Sequence, residues 1–212
     1  MEPNFWHERW QQNQLGFHES EANSLLVAHF DALSLAPNSR VFVPLCGKTR
    51  DIAWLLSKGH RVVGIELSQL AIEQLFTDLG VKPTIETRGS LIHFGAENLD
   101  IFVGDIFDLS SNGIGPVDAI YDRAALVALP TDLRDRYAAH VRDITNGAPQ
   151  LLVCFDYDQT ELQPPPFSIP ALEVERIHGA HYGINLLASI VVEGGLKGTC
   201  PAQESCYLLR RK

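Results

Sequence analysis

The 212-residue sequence predicts an α/β fold built on a parallel β-sheet. Two observations carry this. Between residues 40 and 80, β-branched apolar runs alternate with segments of helical spacing, which gives strand, helix, strand, helix. The connections between them are short, and short connections between such runs build right-handed βαβ units on a parallel sheet.

The elements follow in order. Residues 19–33 place Leu25, Leu26, His29, Phe30 and Leu33 at helical spacing and predict an amphipathic helix. Residues 40–45, RVFVPL, read as a buried strand. Residues 49–59 read as a helix stopped by Gly59, the residue type that most easily adopts the left-handed cap. Residues 60–67, HRVVGIEL, form a second strand; residues 68–80 form a second helix with Ser68 as N-cap and Gly80 as its stop. Residues 81–100 are polar and broken by glycine, with room for one short strand. Residues 99–109 give a third main strand running into a loop, and residues 117–126 a fourth. Residues 130–145 predict a helix with Pro130 near its start, and residues 149–157 a fifth strand. Residues 162–170, LQPPPFSIP, cannot be regular, because proline removes the N–H donor and fixes φ; they predict a stiff surface loop. The terminal ESCYLLRRK predicts an edge strand. No internal repeat and no linker composition is visible, so residues 1–212 are expected to form one domain.

Composition narrows the function. Hydrophobic residues make up 45%, enough for a core, and the formal net charge is −9. An acidic chain without a dense Lys/Arg run is poorly suited to neutralising nucleic-acid phosphates. No segment reaches the ~18 apolar residues of a membrane span, and the opening MEPNFWHERW does not read as a signal peptide. Cys46, Cys154, Cys200 and Cys206 are scattered, with no CxxC spacing, so free thiols in a cytoplasmic protein are expected and no metal site.

In an open parallel sheet, ligands sit beyond the carboxyl ends of the strands, at the switch in strand order. The residues predicted there are Pro44, Leu45, Cys46 and Gly47; Glu66; Gly104, Asp105, Ile106 and Phe107; Asp122 and Arg123; and Asp156 and Tyr157. The first group lies in VFVPLCGKTRDIAWL, whose GKT imitates the end of a phosphate loop. A true phosphate loop needs a glycine five positions before its Gly-Lys pair, and Phe42 stands there. The three-glycine dinucleotide fingerprint is missing as well. What remains is a compact turn at Gly47 and an acid, Glu66, 19 residues further on. That is the place of the carboxylate that binds a ribose diol. A ribose without a pyrophosphate suggests an adenosine-containing cofactor such as S-adenosylmethionine, whose positive sulfonium suits this acidic ring. The alternative for Glu66 is a carboxylate capping the next helix. The alternative for Asp105, in GDIFDL, is a turn in which it bonds its own backbone; otherwise Ile106 and Phe107 offer apolar contact to an adenine.

Taken together, FWHERWQQNQLGFHE, VFVPLCGKTRDIAWLLSKGHRVVGIELS, GDIFDL, YDRAALVALP and PPFSIP resemble the thiopurine S-methyltransferase family of the bacterial type, from about residue 4 to about residue 178. The resemblance implies a class I, Rossmann-like S-adenosylmethionine-dependent methyltransferase: a three-layer, doubly wound, mostly parallel seven-stranded sheet with helices on both faces. It implies cofactor contacts at Trp10, Leu45, Glu66, Ile106, Phe107 and Arg123, a substrate aromatic at Phe17, and residues 1–20, with Trp6 and Trp10, as a lid over the cofactor. The alternative for both tryptophans is core filling. The implied acceptor is the thiol, or a selenol or tellurol, of a small aromatic or heterocyclic molecule such as a thiopurine, with metalloid or xenobiotic detoxification as a role. A monomer without nucleic-acid or membrane partners is expected. The resemblance weakens after ERIHG (175–179): no arginine occurs between residues 180 and 205, so the stretch that family members place near the substrate is not found.

Methyl transfer is an in-line displacement that needs positioning and exclusion of water. An ionised thiolate needs no strong general base, so no His/Asp dyad is required. Asp122 and Asp156 are the candidate proton acceptors, and His18, next to Phe17, is a further candidate. Arg123 is placed either to hold the cofactor carboxylate or an anionic acceptor, or to pair with Asp122 or Asp156. Pro164, Pro165, Pro166 and Phe167 would form a rigid apolar wall. Two other classes compete: a non-catalytic S-adenosylmethionine-binding sensor, disfavoured by the aromatic N-terminus, and a nicotinamide oxidoreductase, disfavoured by the missing glycines.

Overall fold

A computed structural model describes residues 3–12 and 19–212. The chain opens with helix α1 (Pro3–Gln11). Helix α2 (Ser24–His29) starts later than the apolar spacing predicts, because the Asn23 side chain accepts from the Leu25 and Leu26 amides at 3.0 and 3.3 Å and so fixes the helix start. Its end tightens into a 3-10 turn over Phe30–Leu33.

Strand β1 (Arg40–Pro44), helix α3 (Arg50–Ser57), strand β2 (Arg61–Glu66) and helix α4 (Gln69–Leu79) follow as predicted. Thr49 and Ser68 cap the two helices, and Gly80 ends α4 in the left-handed conformation. A hairpin of β3 (Thr84–Arg88) and β4 (Leu91–Ala96) leads to β5 (Leu99–Val103). The short helix α5 (Ser111–Ile114), β6 (Ala119–Arg123), α6 (Thr131–Ile144), β7 (Gln150–Tyr157), α7 (Ala171–His178), β8 (Tyr182–Val191) and β9 (Ala202–Arg211) complete the chain.

Among the described residues these strands form one nine-stranded sheet in the order β3-β4-β5-β2-β1-β6-β7-β9-β8. The five central strands are parallel, and an antiparallel pair flanks them on each side. Because successive strand residues point to opposite faces, β1 feeds two cores. Val41 and Val43 pack with Leu26, Ile52 and Ile72 on one face, and Phe42 packs with Tyr137, Val141 and Ile177 on the other. Helices therefore cover both faces, which is the three-layer arrangement expected.

The sheet is larger than the seven strands expected. Seven of the nine, β5-β2-β1-β6-β7-β9-β8, make the doubly wound unit; β3 and β4 extend it beyond β5. All five residues of β3 are exposed, so it carries no apolar alternation to read. The terminal strand is also not an edge. β9 lies between β7 and β8, and β8 is the outer strand. The four cysteines are buried free thiols. Among the described residues no helix is long and apolar enough to cross a membrane.

The chain runs outward from β1 in both directions, through β2 and β5 on one side and through β6 and β7 on the other. The strand order thus reverses between β1 and β6. The carboxyl ends of these two strands open the crevice where a ligand fits.

Candidate functional site

Read along the carboxyl edge of the sheet, the chain places Asp105 after β5, Glu66 at the end of β2, Gly47 after β1, Arg123 at the end of β6 and Phe155 on β7. Neighbouring strands are ~4.8 Å apart, so this row spans roughly 20 Å. All five residues line one cavity of about 580 Å³. Trp6, Arg9 and Trp10 of α1 form another wall, and Pro165, Pro166 and the β8–β9 loop close the far end. The proline-rich loop expected at the surface therefore forms part of the cavity wall.

The turn after β1 carries the geometry. Leu45 and Gly47 have φ of 46° and 51°, and across the switch point Ala124 has φ of 65°. Residues with a Cβ rarely take this conformation, and such strain concentrates at functional sites. The Glu66 carboxylate is held by backbone amides: Oε2 accepts from Gly47 N–H and Oε1 from Ser68 N–H, each at 2.9 Å. The carboxylate thus joins the β1 and β2 turns. Burial raises the Glu66 pKa, and the amides of Ser68, Gly47 and Leu67 oppose this. A Cβ on Gly47 would lie 3.0 Å from the Trp10 ring, so the indole sits directly on this backbone.

Beyond β5, Asp105 accepts from Phe107 N–H at 3.0 Å and starts a 3-10 turn, the self-bonded turn allowed for in the sequence. The turn buries Ile106, whose carbonyl lies 2.8 Å from His140 Nε2. It presents Phe107 to the cavity, with the Arg136 guanidinium 3.7 Å from its ring centroid.

Arg123 is 8% exposed and pairs with Glu19. Burial pulls its pKa down, but Tyr121, Glu19, Asp51 and Glu204 outweigh this and raise it, so the guanidinium stays charged. Behind it Asp51 accepts from Asn23 N–H at 2.7 Å and from the Tyr121 hydroxyl at 3.0 Å, while Asn23 Nδ2 donates to Glu204 at 3.1 Å. This buried network fixes the start of α2, the first turn of α3 and the end of β6 to one another.

Trp10, Leu45, Glu66, Ile106, Phe107 and Arg123 thus share one cavity. Asp122 and Asp156 do not line it. Strand alternation is the reason: Asp122 points to the opposite face from Arg123, where it accepts from the Tyr137 hydroxyl at 2.7 Å and from Leu126 N–H at 3.1 Å. Burial pushes its pKa up to about 6 against those hydrogen bonds. Asp156 is exposed, with Ser168 Oγ at 3.5 Å, while its neighbour Phe155 lines the cavity. Neither carboxylate is placed to take a proton from a molecule bound in the crevice. Phe17 and His18 lie outside the described residues. Arg9, Arg136 and Lys197 line the cavity without having been singled out in the sequence. The glycine cluster EGGLKG around Lys197 was the one signal available, marking a tight loop.

Comparison with known proteins agrees with this geometry. The family model described as thiopurine S-methyltransferase matches residues 1–212. A relative from Xanthobacter autotrophicus named thiopurine S-methyltransferase is 58% identical over 212 residues, covering all of both chains. Among solved structures, an S-adenosylmethionine-dependent methyltransferase from Anabaena variabilis superposes with a TM-score of 0.65 at 14% identity, over 98% of this chain and 95% of that one. The 1,6-didemethyltoxoflavin N1-methyltransferase of Burkholderia thailandensis, solved with 1,6-didemethyltoxoflavin and S-adenosylhomocysteine bound, gives 0.62 at 16% identity, over 98% and 87%.

Proposed function

The chain belongs to the thiopurine S-methyltransferase family, and on that premise we propose that it moves the methyl group of S-adenosylmethionine to the thiol, selenol or tellurol of a small aromatic or heterocyclic molecule. The observation that carries the reading is the Glu66 carboxylate, held by backbone amides at the end of β2 and lining the cavity. Such an acceptor pair suits the two hydroxyls of a ribose. Among the described residues the crevice has no glycine-rich nest for a pyrophosphate, and Arg123 supplies a fixed positive charge for an amino-acid carboxylate. A volume of about 580 Å³ lies within the usual range for small-molecule sites.

In this reading Glu66 holds the ribose, Ile106 and Phe107 cover the adenine, and Arg123 holds the carboxylate. Leu45 and Trp10 flank the reacting end. When bound, S-adenosylmethionine supplies a methyl group on a positive sulfur that departs as a neutral thioether. The protein aligns the acceptor sulfur with that methyl and excludes water, through Trp10 on one side and Phe155, Leu129, Pro165 and Pro166 on the other. No side chain need take a proton if the acceptor enters as a thiolate. The Cys46 thiol in the cavity stays protonated, because burial and then Glu66 raise its pKa well above the usual range.

We take the chain to act as one cytoplasmic catalytic domain and a monomer, with residues 1–20 closing over the cofactor. Detoxification of xenobiotic thiols or metalloids suits an enzyme with this open apolar acceptor end. The test is transfer of labelled methyl from S-adenosylmethionine across thiopurines, aromatic thiols and reduced selenium and tellurium species. Turnover of at least one class supports the reading. Tight S-adenosylmethionine binding with no turnover on any of them would make the protein a sensor.

A further inference from the structure

Glu204 is a buried acid in the wall of the crevice, far from the Glu66 end. It lies on β9 in register with Phe155 on β7, and both residues line the cavity. Directly opposed residues on antiparallel strands bring their side chains within about 5 Å on one face of the sheet. Glu204 therefore stands at the acceptor end, beside the wall formed by Phe155, Pro165 and Pro166.

Its place in the strand suits an apolar residue. Cys206 and Leu208 follow at strand spacing on the same face, and both are core. A carboxylate buried there costs free energy unless it is compensated. Arg123, the nearby cation, is bonded to Glu19, and the hydrogen bond to Glu204 comes from a neutral group, Asn23 Nδ2 at 3.1 Å. That donor is fixed: Asn23 Oδ1 accepts from the Leu25 and Leu26 amides, which turns the other end of its amide to Glu204. Glu204 Oε1 is thus anchored to the start of α2 while the side chain borders the cavity.

The titratable groups facing Glu204 are Arg123 and Tyr121 of β6, Glu19, Asp51 of α3, Cys154 of β7 and Cys206 of β9. Burial raises the Glu204 pKa; Arg123 and the Asn23 hydrogen bond lower it, and Glu19 and Asp51 raise it. A carboxylate shifted upward is a better base near neutral pH. Burial also raises Tyr121, Cys154 and Cys206, which keep their protons. Glu19 is taken by Arg123, and Asp51 by Asn23 N–H and the Tyr121 hydroxyl.

We propose that Glu204 is the proton acceptor of the methyl transfer when the acceptor binds as a protonated thiol. This rests on the reading of the crevice as a methyltransferase site. Glu204 takes the S–H proton as the acceptor sulfur bonds to the methyl carbon and the bond from that carbon to the sulfonium sulfur breaks. Both sulfurs end as neutral thioethers, and Glu204 passes the proton to solvent. An acceptor that arrives as a thiolate bypasses Glu204.

The test measures kcat/KM against pH for phenylmethanethiol and 4-nitrobenzenethiol in wild type and Glu204→Gln. An alkyl thiol like that of cysteine has a pKa of about 8.5 and is mostly protonated at neutral pH, whereas the nitro group keeps the aromatic thiol ionised there. Gln retains an oxygen for Asn23 and cannot take the proton. Glu204→Gln is expected to lower kcat/KM for phenylmethanethiol at neutral pH by about a hundredfold or more. The loss should shrink as pH rises through the pKa of the thiol, and the loss on 4-nitrobenzenethiol should be at least about tenfold smaller. Where wild type prefers another thiol, such as a thiopurine, the loss should again be confined to pH below the pKa of that thiol. Equal losses on both thiols, no loss, or a loss independent of pH overturns the proposal, as does a wild type that methylates ionised thiols alone. Affinity for S-adenosylhomocysteine by calorimetry should hold in Glu204→Gln; a fall in affinity together with both rates marks a structural role and overturns the proposal. A wild type that methylates no acceptor at any pH overturns the methyltransferase reading, and this proposal with it.

Discussion

The Glu66 carboxylate accepts the Gly47 amide proton at 2.9 Å, so the end of β2 holds the turn after β1 in place. Gly47 has φ of 51°, and the Trp10 ring occupies the space where a side chain would begin. Gly47→Ala therefore meets both a left-handed backbone penalty of about 1–2 kcal/mol and the indole. Thermal unfolding should show a lower midpoint, and calorimetry a weaker affinity for S-adenosylhomocysteine. Unchanged values for both would mean that the turn is not held as described.

Trp10 touches the turn from α1. Removing its ring in Trp10→Ala should raise the Kd for S-adenosylhomocysteine by roughly tenfold, equivalent to about 1.4 kcal/mol. If the Kd holds and only the unfolding midpoint falls, Trp10 is a packing residue and does not cover the cofactor.

Asp122 gives a pH signature independent of the crevice. Burial raises its folded-state pKa to about 6, above the ordinary 3.8. A carboxyl shifted upward contributes its stability while protonated; the contribution is full below the unfolded value and is lost as pH rises through about 6. The shift corresponds to about 3 kcal/mol. Asp122→Asn keeps an acceptor for the Tyr137 hydroxyl and removes the titration. Denaturant unfolding at several pH values should show the variant gaining on wild type by up to that amount between about pH 4 and pH 7. Parallel curves would contradict the assignment.

The parts of this molecule that bury a patterned apolar face were legible in the sequence. Val41-Phe42-Val43 announces a strand that feeds two cores, and Gly47 with Glu66 nineteen residues on announces a compact turn beside an acid at the next strand end. Strand β3 was not legible because it buries nothing. The interior position of β9 depends on pairing with β7 and β8, which local sequence does not encode. Asp122 and Asp156 sat at the right strand ends but on the wrong parity, and a strand end known to within one residue does not fix which face a side chain takes. Lys197 escaped notice because its place in the cavity wall depends on a left-handed backbone and on Pro165, roughly 110 Å of extended chain away in a separate loop.

The central claim is that Glu66 binds the ribose of S-adenosylmethionine. Its most direct test is calorimetry of S-adenosylhomocysteine and its 2′-deoxy analogue on wild type and Glu66→Ala. Hydrogen bonds to a charged partner contribute about 1.5–3 kcal/mol, so wild type should prefer the ribose form by about tenfold or more, and Glu66→Ala should bind both weakly and nearly equally. A Glu66→Ala variant that keeps wild-type affinity, or the same preference between the two ligands, would contradict the account.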